Sequence, residues 1–259
     1  MRMPVAFVGH GSPMNAIEDN QWSRGFRDLG ASLPRPSAIL AISAHWYIRG
    51  TAVTGNDLPE TIHDFGGFPE PLYEMQYPAK GDPALAERVV DALGADVASV
   101  QFDWGLDHGT WSVLCHMRPK ADCPVLQLSI DARVSAARHV EIARSLAPFR
   151  DEGVLILGSG NLVHNLGDAF GRMRSGDLAT PPWASDFDEI VAVSLKKHDT
   201  AGLARLLESP EGRKAHPTPD HYIPILYAAG AAGDDDVTFP ITGFDLGSLS
   251  MRSVLFGAR

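Results

Sequence analysis

The sequence predicts an α/β fold: a single layered domain whose central sheet, mainly parallel and mixed at its margins, is flanked by helices. Three observations predict it. Apolar runs of strand length alternate with helix-periodic stretches along the 259 residues. Most runs are continuously apolar rather than alternating, as in strands covered on both faces. No internal repeat, low-complexity tract or long linker divides the chain, so 1–259 reads as one domain.

Val5–Val8 is the first strand and ends in Gly9-His10-Gly11. Ala38–Ser43 is the second and ends in Ala44-His45. Residues 55–81 form a long irregular stretch rich in Gly, Pro and aromatics, a kind of loop that is usually functional. Asp82 is a suitable N-cap for a helix over Pro83–Leu93. Val97–Val100, Val125–Leu128 and Val154–Leu157 are further strands. Ser135–Phe149 carries apolar residues at Val140, Ala143, Leu146 and Ala147, which gives one helical face. Arg172–Pro182 is a polar surface excursion. Helices are expected over Trp183–Lys197, Ala201–Leu207 and Pro219–Ala229, the last with Thr218 as N-cap and Pro219 at its first position. Val237–Ile241 and Ser248–Leu255 are expected as closing strands that add antiparallel edges.

The composition, 44% hydrophobic and 21% charged, is that of an ordinary globular protein. A net charge of -10 repels phosphate backbones and argues against nucleic-acid binding. The two cysteines, Cys115 and Cys123, read as buried or half-buried thiols rather than a disulfide. The segment MRMPVAFVGHGSP lacks signal-peptide features, and no segment approaches the ~20 apolar residues of a membrane span. The expected location is the cytoplasm, with no membrane partner. Nothing in the pattern sets an oligomeric state.

Several motifs fail on inspection. GHGSPM at 9–14 follows a strand, but Met14 replaces the third small residue of a dinucleotide fingerprint and Pro13 would block helix entry. GSGNLV at 158–163 fails at Val163. There is no P-loop, no G-x-S-x-G elbow around Ser12 or Ser159, no H-E-x-x-H and no paired C-x-x-C.

The histidines carry the signal instead. His10 and His45 close strands, His164 follows a strand and its turn, and His221 falls in TPDHY at the head of a helix-like segment. Strand C-terminal ends converge on one edge of a parallel sheet. Imidazole is the commonest ligand for zinc, iron and copper. The pattern therefore suggests one metal site assembled from distant parts of the chain. His108, in GLDHGTW, is either a pocket histidine satisfied by its neighbours or an acid, base or donor beside the site. His63 could line a substrate pocket or serve only its loop. His116, His139, His198 and His216 lack supporting context and read as surface or structural.

GHGSPMNAIEDN, SAHW, TIHDFGGFPEPLYEMQYPAKGDPALA, GLDHGTWSVL, SGNLVHNL and TPDHYIPILY together resemble the 4,5-DOPA extradiol dioxygenase family, a branch of the class III (LigB-type) extradiol ring-cleavage dioxygenases. The resemblance runs from about residue 3 to about residue 256. It implies one catalytic α/β domain with a metal at one end of the sheet, held by His10, His45, His164 and His221. It leaves His164 as a ligand, an acid/base or both, and makes His108 a pocket histidine that assists substrate deprotonation or oxygen handling. One feature departs from the wider class: the third ligand position is His221 where two histidines and a carboxylate are usual. Asp220 is adjacent but is expected to point elsewhere from a helix turn.

The resemblance implies Fe(II) for turnover, with Zn(II) as an occupant an all-histidine site also suits, and O₂ as co-substrate. The substrate would be a small catechol, opened beside its hydroxyls to a semialdehyde, with His164 and His108 handling protons. Phe65, Gly66, Gly67, Phe68 and Tyr73 would shape the mouth, or merely anchor the loop. Two other readings stay open: a zinc-dependent hydrolase, and a non-catalytic metal-binding protein on the same scaffold.

Overall fold

In the computed structural model, residues 2–257 are described. Among the described residues, ten strands are interleaved with ten α-helices and two 3₁₀ turns. The strands are β1 (Val5–Gly9), β2 (Ala38–Ile48), β3 (Thr51–Thr54), β4 (Ala98–Gln101), β5 (Val125–Asp131), β6 (Val154–Gly160), β7 (Val237–Ile241), β8 (Phe244–Asp245), β9 (Leu249–Ser250) and β10 (Ser253–Phe256). The helices are α1 (Gln21–Ser32), α2 (Glu70–Tyr73), α3 (Pro83–Leu93), α4 (His108–Met117), α5 (Ala136–Leu146), α6 (Leu166–Ser175), α7 (Pro182–Lys196), α8 (Thr200–Glu208), α9 (Pro210–Ala215) and α10 (Ile223–Ala232).

Eight strands form one mixed sheet in the order β4-β3-β5-β2-β6-β1-β10-β7, and β8 and β9 pair separately. The central strands β5, β2, β6 and β1 are mutually parallel. β10 runs antiparallel to β1, and β7 antiparallel to β10. The closing strands thus extend the sheet beyond β1, as the sequence predicts. β3 runs antiparallel to β5 and parallel to β4 on the other side.

The continuously apolar strands divide their side chains between two cores. Val5, Phe7, Leu40, Ile42, Leu126 and Ile156 pack on one face with α3, α5, α7, α8 and α10. Ala6, Val8, Ile39, Val125, Leu155 and Leu157 pack on the other with α1 and α4. Period-two alternation of the side chains, with both faces covered, favours apolar residues at successive strand positions. α10 is buried along its whole length, and it packs against α5, β6 and β1, so it shows no polar stripe.

Asp82 caps α3 through the Leu85 amide and Ser135 caps α5 through the Arg138 amide, as read from the sequence. Four expectations need correction. Pro13 does not block a helical turn: Pro13–Ala16 is a 3₁₀ turn capped by Ser12, where proline needs no partner for its missing N–H. Ser248–Leu255 is not one strand, because β9 and β10 are separated at Met251 and Arg252. Part of 172–182 is helix, since α6 runs to Ser175 before the exposed loop. The last long helix begins at Ile223 rather than Pro219, because the amides of Tyr222 and Ile223 both bond the Pro219 carbonyl and close a turn first. Among the described residues no helix is long and apolar enough to cross a membrane. Both cysteines are free thiols.

Candidate active site

Three parallel strands build the floor of the site. β2, β6 and β1 lie side by side, and their C-terminal ends present His45, the 159–164 segment and His10 together. His10 follows the last residue of β1. His45 lies inside β2, which runs on to Ile48, and it occupies the irregular stretch where the β2–β5 register shifts between Ile42 and Tyr47. Such irregularities re-aim side chains at sheet ends. The His221 carbonyl accepts the Asn161 amide at 2.9 Å, which docks the 219–222 turn onto the end of β6. Glycine is required there: a Cβ on Gly160 would collide with that carbonyl.

His10, His45 and His221 offer ring nitrogens that all lie within 4.8 Å of one another. The Nε2 atoms of His10 and His45 are 3.2 Å apart. His164 and His108 stand at the flanks rather than in this group. The His164 ring stacks on His221 and the His108 ring lies against His45, with centroids 3.5 and 3.8 Å apart.

The hydrogen-bond partners set the tautomers. The Ser159 hydroxyl spends its one proton on the Gly109 carbonyl at 2.5 Å, so towards His10 Nδ1, 2.9 Å away, it can only accept. His10 therefore carries its proton on Nδ1 and a lone pair on Nε2. His221 donates Nδ1–H to the Asp220 carboxylate, which leaves its Nε2 free as well. Asp220 is not among the three donors: the turn before α10 folds its carboxylate back onto the Nδ1 side of the neighbouring imidazole. Asp64 Oδ2 lies 3.5 Å from His45 Nδ1 and 3.0 Å from His108 Nδ1.

Electrostatics keep the imidazoles neutral. Burial, then the neighbouring histidines, pushes His10 and His221 well below the ordinary histidine range. Burial and His108 lower His45 to about 3, and burial lowers His164 to about 4. Burial would raise Asp64, but its contacts with His108 and His45 prevail and hold it at about 2. Wholly buried Asp107 is pushed up to about 6 by desolvation and the charge of Asp64, against hydrogen bonds from Ser43 and Gln127. At 3.2 Å the Nε2 atoms of His10 and His45 can share a proton as an N–H···N hydrogen bond or, with both lone pairs free, a cation between them. The donor set therefore fits a divalent transition metal on His10, His45 and His221.

Over this floor folds the 55–69 loop. Phe65 stands edge-on to His108, with centroids 5.5 Å apart, and packs with Phe68 and Tyr73. His63 Nε2 donates to the Met75 carbonyl at 3.0 Å, and its ring packs near Trp111 and Phe65. Gly66 is exposed and open on all sides. Reading the sequence missed Asp64, Ser159 and the orienting role of Asp220. Ser159 and His10 are 149 positions apart, and no local pattern joins them. Asp64 left one signal only, its place in the unusual TIHDFGG segment.

A family model described as the catalytic LigB subunit of aromatic ring-opening dioxygenase matches residues 4–256. The chain is 48% identical to the 4,5-DOPA dioxygenase extradiol of Escherichia coli (strain K12), over 99% of this chain and 95% of that protein. It is 38% identical to the protein of the same name from Beta vulgaris, over 96% and 95%. The crystal structure of an uncharacterized Escherichia coli K12 protein superposes with a TM-score of 0.83 at 41% identity, covering 99% of this chain and all of that one. With its histidines gathered at the sheet edge and its whole length matched, the chain belongs to the LigB family of aromatic ring-opening dioxygenases.

Proposed function

We propose that this extradiol dioxygenase is metal-dependent and opens the ring of a catechol bearing a side chain, with Fe(II) as the working metal. The observation that carries the reading is the group of His10, His45 and His221, three neutral imidazoles with free nitrogens within 4.8 Å. A DOPA-like substrate is supported by the names of the relatives at 48% and 38% identity. The catalytic domain is taken to span the whole chain, and its location to be the cytoplasm.

Bound on those three Nε2 atoms, iron would supply Lewis acidity toward the catechol hydroxyls and one-electron chemistry toward O₂. The protein's own work is positioning and proton handling. His164, neutral and stacked beside His221, acts as the base that takes a hydroxyl proton and returns it during ring opening. His108, set against His45, is the second proton group. Phe65 offers a ring to the substrate beside His108, and Phe68 with Gly66 completes the mouth. His63 supports this wall from behind through Met75 and Phe65.

The test is anaerobic loading with Fe(II), then catechols with varied side chains, then O₂. Expected is a yellow ring-opened product with one O₂ consumed per substrate. Absence of turnover with every catechol, DOPA and caffeate included, would reject the reading. Zn(II)-supported hydrolysis without O₂ would replace it with the hydrolase.

A further inference from the structure

Among the described residues, Asp64 is the one carboxylate placed against two of the histidines at once. Its Oδ2 lies 3.0 Å from His108 Nδ1 and 3.5 Å from His45 Nδ1. Its Oδ1 accepts the His108 amide at 2.9 Å, an N–H at the start of α4 that no helical carbonyl can reach. His45, Asp64 and His108 offer one atom each within 4.8 Å of one another. Both rings are closely packed, with centroids 3.8 Å apart. The loop that carries Asp64 is pinned on either side. The Ile62 amide bonds the Leu106 carbonyl at 2.7 Å, and Trp111 Nε1 bonds the Ile62 carbonyl at 2.8 Å. Phe65, next in sequence, closes over His108.

We infer that Asp64 is a positioning residue that sets the tautomers of His45 and His108 together. An ionised carboxylate only accepts hydrogen bonds. Neither ring contact is aligned as a hydrogen bond, so the carboxylate acts through its charge: lying nearest the Nδ1 atoms, it favours the ring proton on Nδ1 in each and leaves Nε2 as the free lone pair. One lone pair then serves the metal and the other the substrate. A carboxylate behind a metal-binding histidine is a common device; here the same oxygen serves a candidate ligand and a candidate proton acceptor. This rests on the metal-dependent reading above, but its main test does not use turnover.

The test is ¹⁵N NMR of imidazole-labelled full-length protein, metal-free and Zn(II)-loaded, with tautomers assigned from ring-nitrogen shifts and couplings. His108 is expected as Nδ1–H in both forms and His45 as Nδ1–H in the metal-free form. Nε2–H on either ring of the wild-type protein would overturn the inference whatever the activity, and this needs no variant to fold. Asp64→Asn keeps the size and the acceptor for the His108 amide but turns an N–H₂ toward the rings. It is expected to move His108 to Nε2–H and to weaken metal affinity and kcat by ~10–100-fold with little change in KM. Asp64→Glu, which keeps the charge, is expected to recover most of the loss. Unchanged tautomers in Asp64→Asn, or a Glu variant as impaired as the Asn variant, would assign the residue to shape alone and overturn the role. A second equivalent of Zn(II) bound by His45, Asp64 and His108 would also overturn it. Correct tautomers in a protein that opens no catechol would sink the dioxygenase reading and leave this one standing.

Discussion

His164 and His221 lie face to face, with ring centroids 3.5 Å apart and planes 3° from parallel. An imidazole lone pair lies in its ring plane, and a ligated metal sits ~2.0–2.1 Å along it. Stacked, nearly parallel rings point their lone pairs side by side rather than at one common point, so His164 is not placed to join His221 in holding a metal. His164→Gln is accordingly expected to keep metal affinity within about tenfold and to lose ~10²–10⁴-fold in kcat. His221→Ala is expected to lose the metal itself. Metal content by elemental analysis, set beside O₂ uptake, checks both. Loss of metal in His164→Gln would restore His164 as a ligand.

Gly109, at the second position of α4, gives a sharper test of packing. Helix propensity alone favours Ala over Gly there by ~1 kcal/mol. A Cβ at this site, however, would fall 2.5 Å from Ser43 Oγ and 2.8 Å from His45 Cδ2. Packing decides, because both neighbours are held, Ser43 by Asp107 at 2.7 Å and His45 between its neighbouring rings. Gly109→Ala is expected to cost ~1–3 kcal/mol of stability and to displace the His45 ring, weakening metal binding. Denaturant unfolding and a metal-competition titration would show it. A stabilised variant with wild-type affinity would refute the argument.

How far the sequence revealed this site follows from the range of the interactions involved. His10, His45 and His221 were legible because strand ends converge in a parallel sheet and each histidine follows a recognisable local pattern. Asp64 and Ser159 act only after the 55–69 loop meets α4 and β6 meets β1, and no local pattern records those contacts. Thr218-Pro219 has good capping chemistry, yet the chain turns once more, and helical bonding starts only where Pro224 occupies the first turn. That one-turn displacement brings Asp220 onto His221. α1 was not expected because Gly25 and Gly30 lower its propensity, while tertiary contacts with α4 and Ile241 compensate. β3, four residues with two threonines, is too short for its period to stand out.

Acid should destabilise the fold over a window set by two buried histidines outside the group of His10, His45 and His221. Burial lowers His139 to about 4 and His216 to about 3. Unfolded, both titrate near ~6.5. Between about pH 6.5 and those folded values the unfolded chain binds more protons, so stability falls as pH falls through this window and is level above it. His139 alone contributes about 3 kcal/mol across its window at 1.36 kcal/mol per unit. Denaturant midpoints at pH 7.5 and 5.0 are expected to differ, and His139→Gln is expected to reduce the difference. An unchanged slope in that variant would count against the assignment.

Phe65 separates substrate stacking from loop anchoring. Its ring stands edge-on to His108 and is only half-buried. A lost aromatic contact is worth ~0.5–1.5 kcal/mol, up to about tenfold. Phe65→Ala is expected to raise KM for catechols by up to about tenfold while kcat falls less, whereas Phe65→Leu should keep the fold with an intermediate KM. Steady-state kinetics on both variants checks this. A fall in kcat alone would instead place Phe65 behind the orientation of His108.

Ser159 carries the tautomer argument to its last consequence. Its hydroxyl receives His10 Nδ1–H and passes its own proton to the Gly109 carbonyl, linking β1, β6 and α4 in one short chain of hydrogen bonds. Ser159→Ala removes both contacts in a fully buried place. Leaving the His10 N–H and the Gly109 carbonyl unmatched is expected to cost ~1–3 kcal/mol of stability. The freed imidazole can then carry its proton on either nitrogen, so metal affinity should fall by ~10–100-fold. Titration well below the unfolding temperature separates the two effects. A variant that loses stability but binds metal as tightly as the parent would show that His10 is held in its tautomer by something other than this hydroxyl.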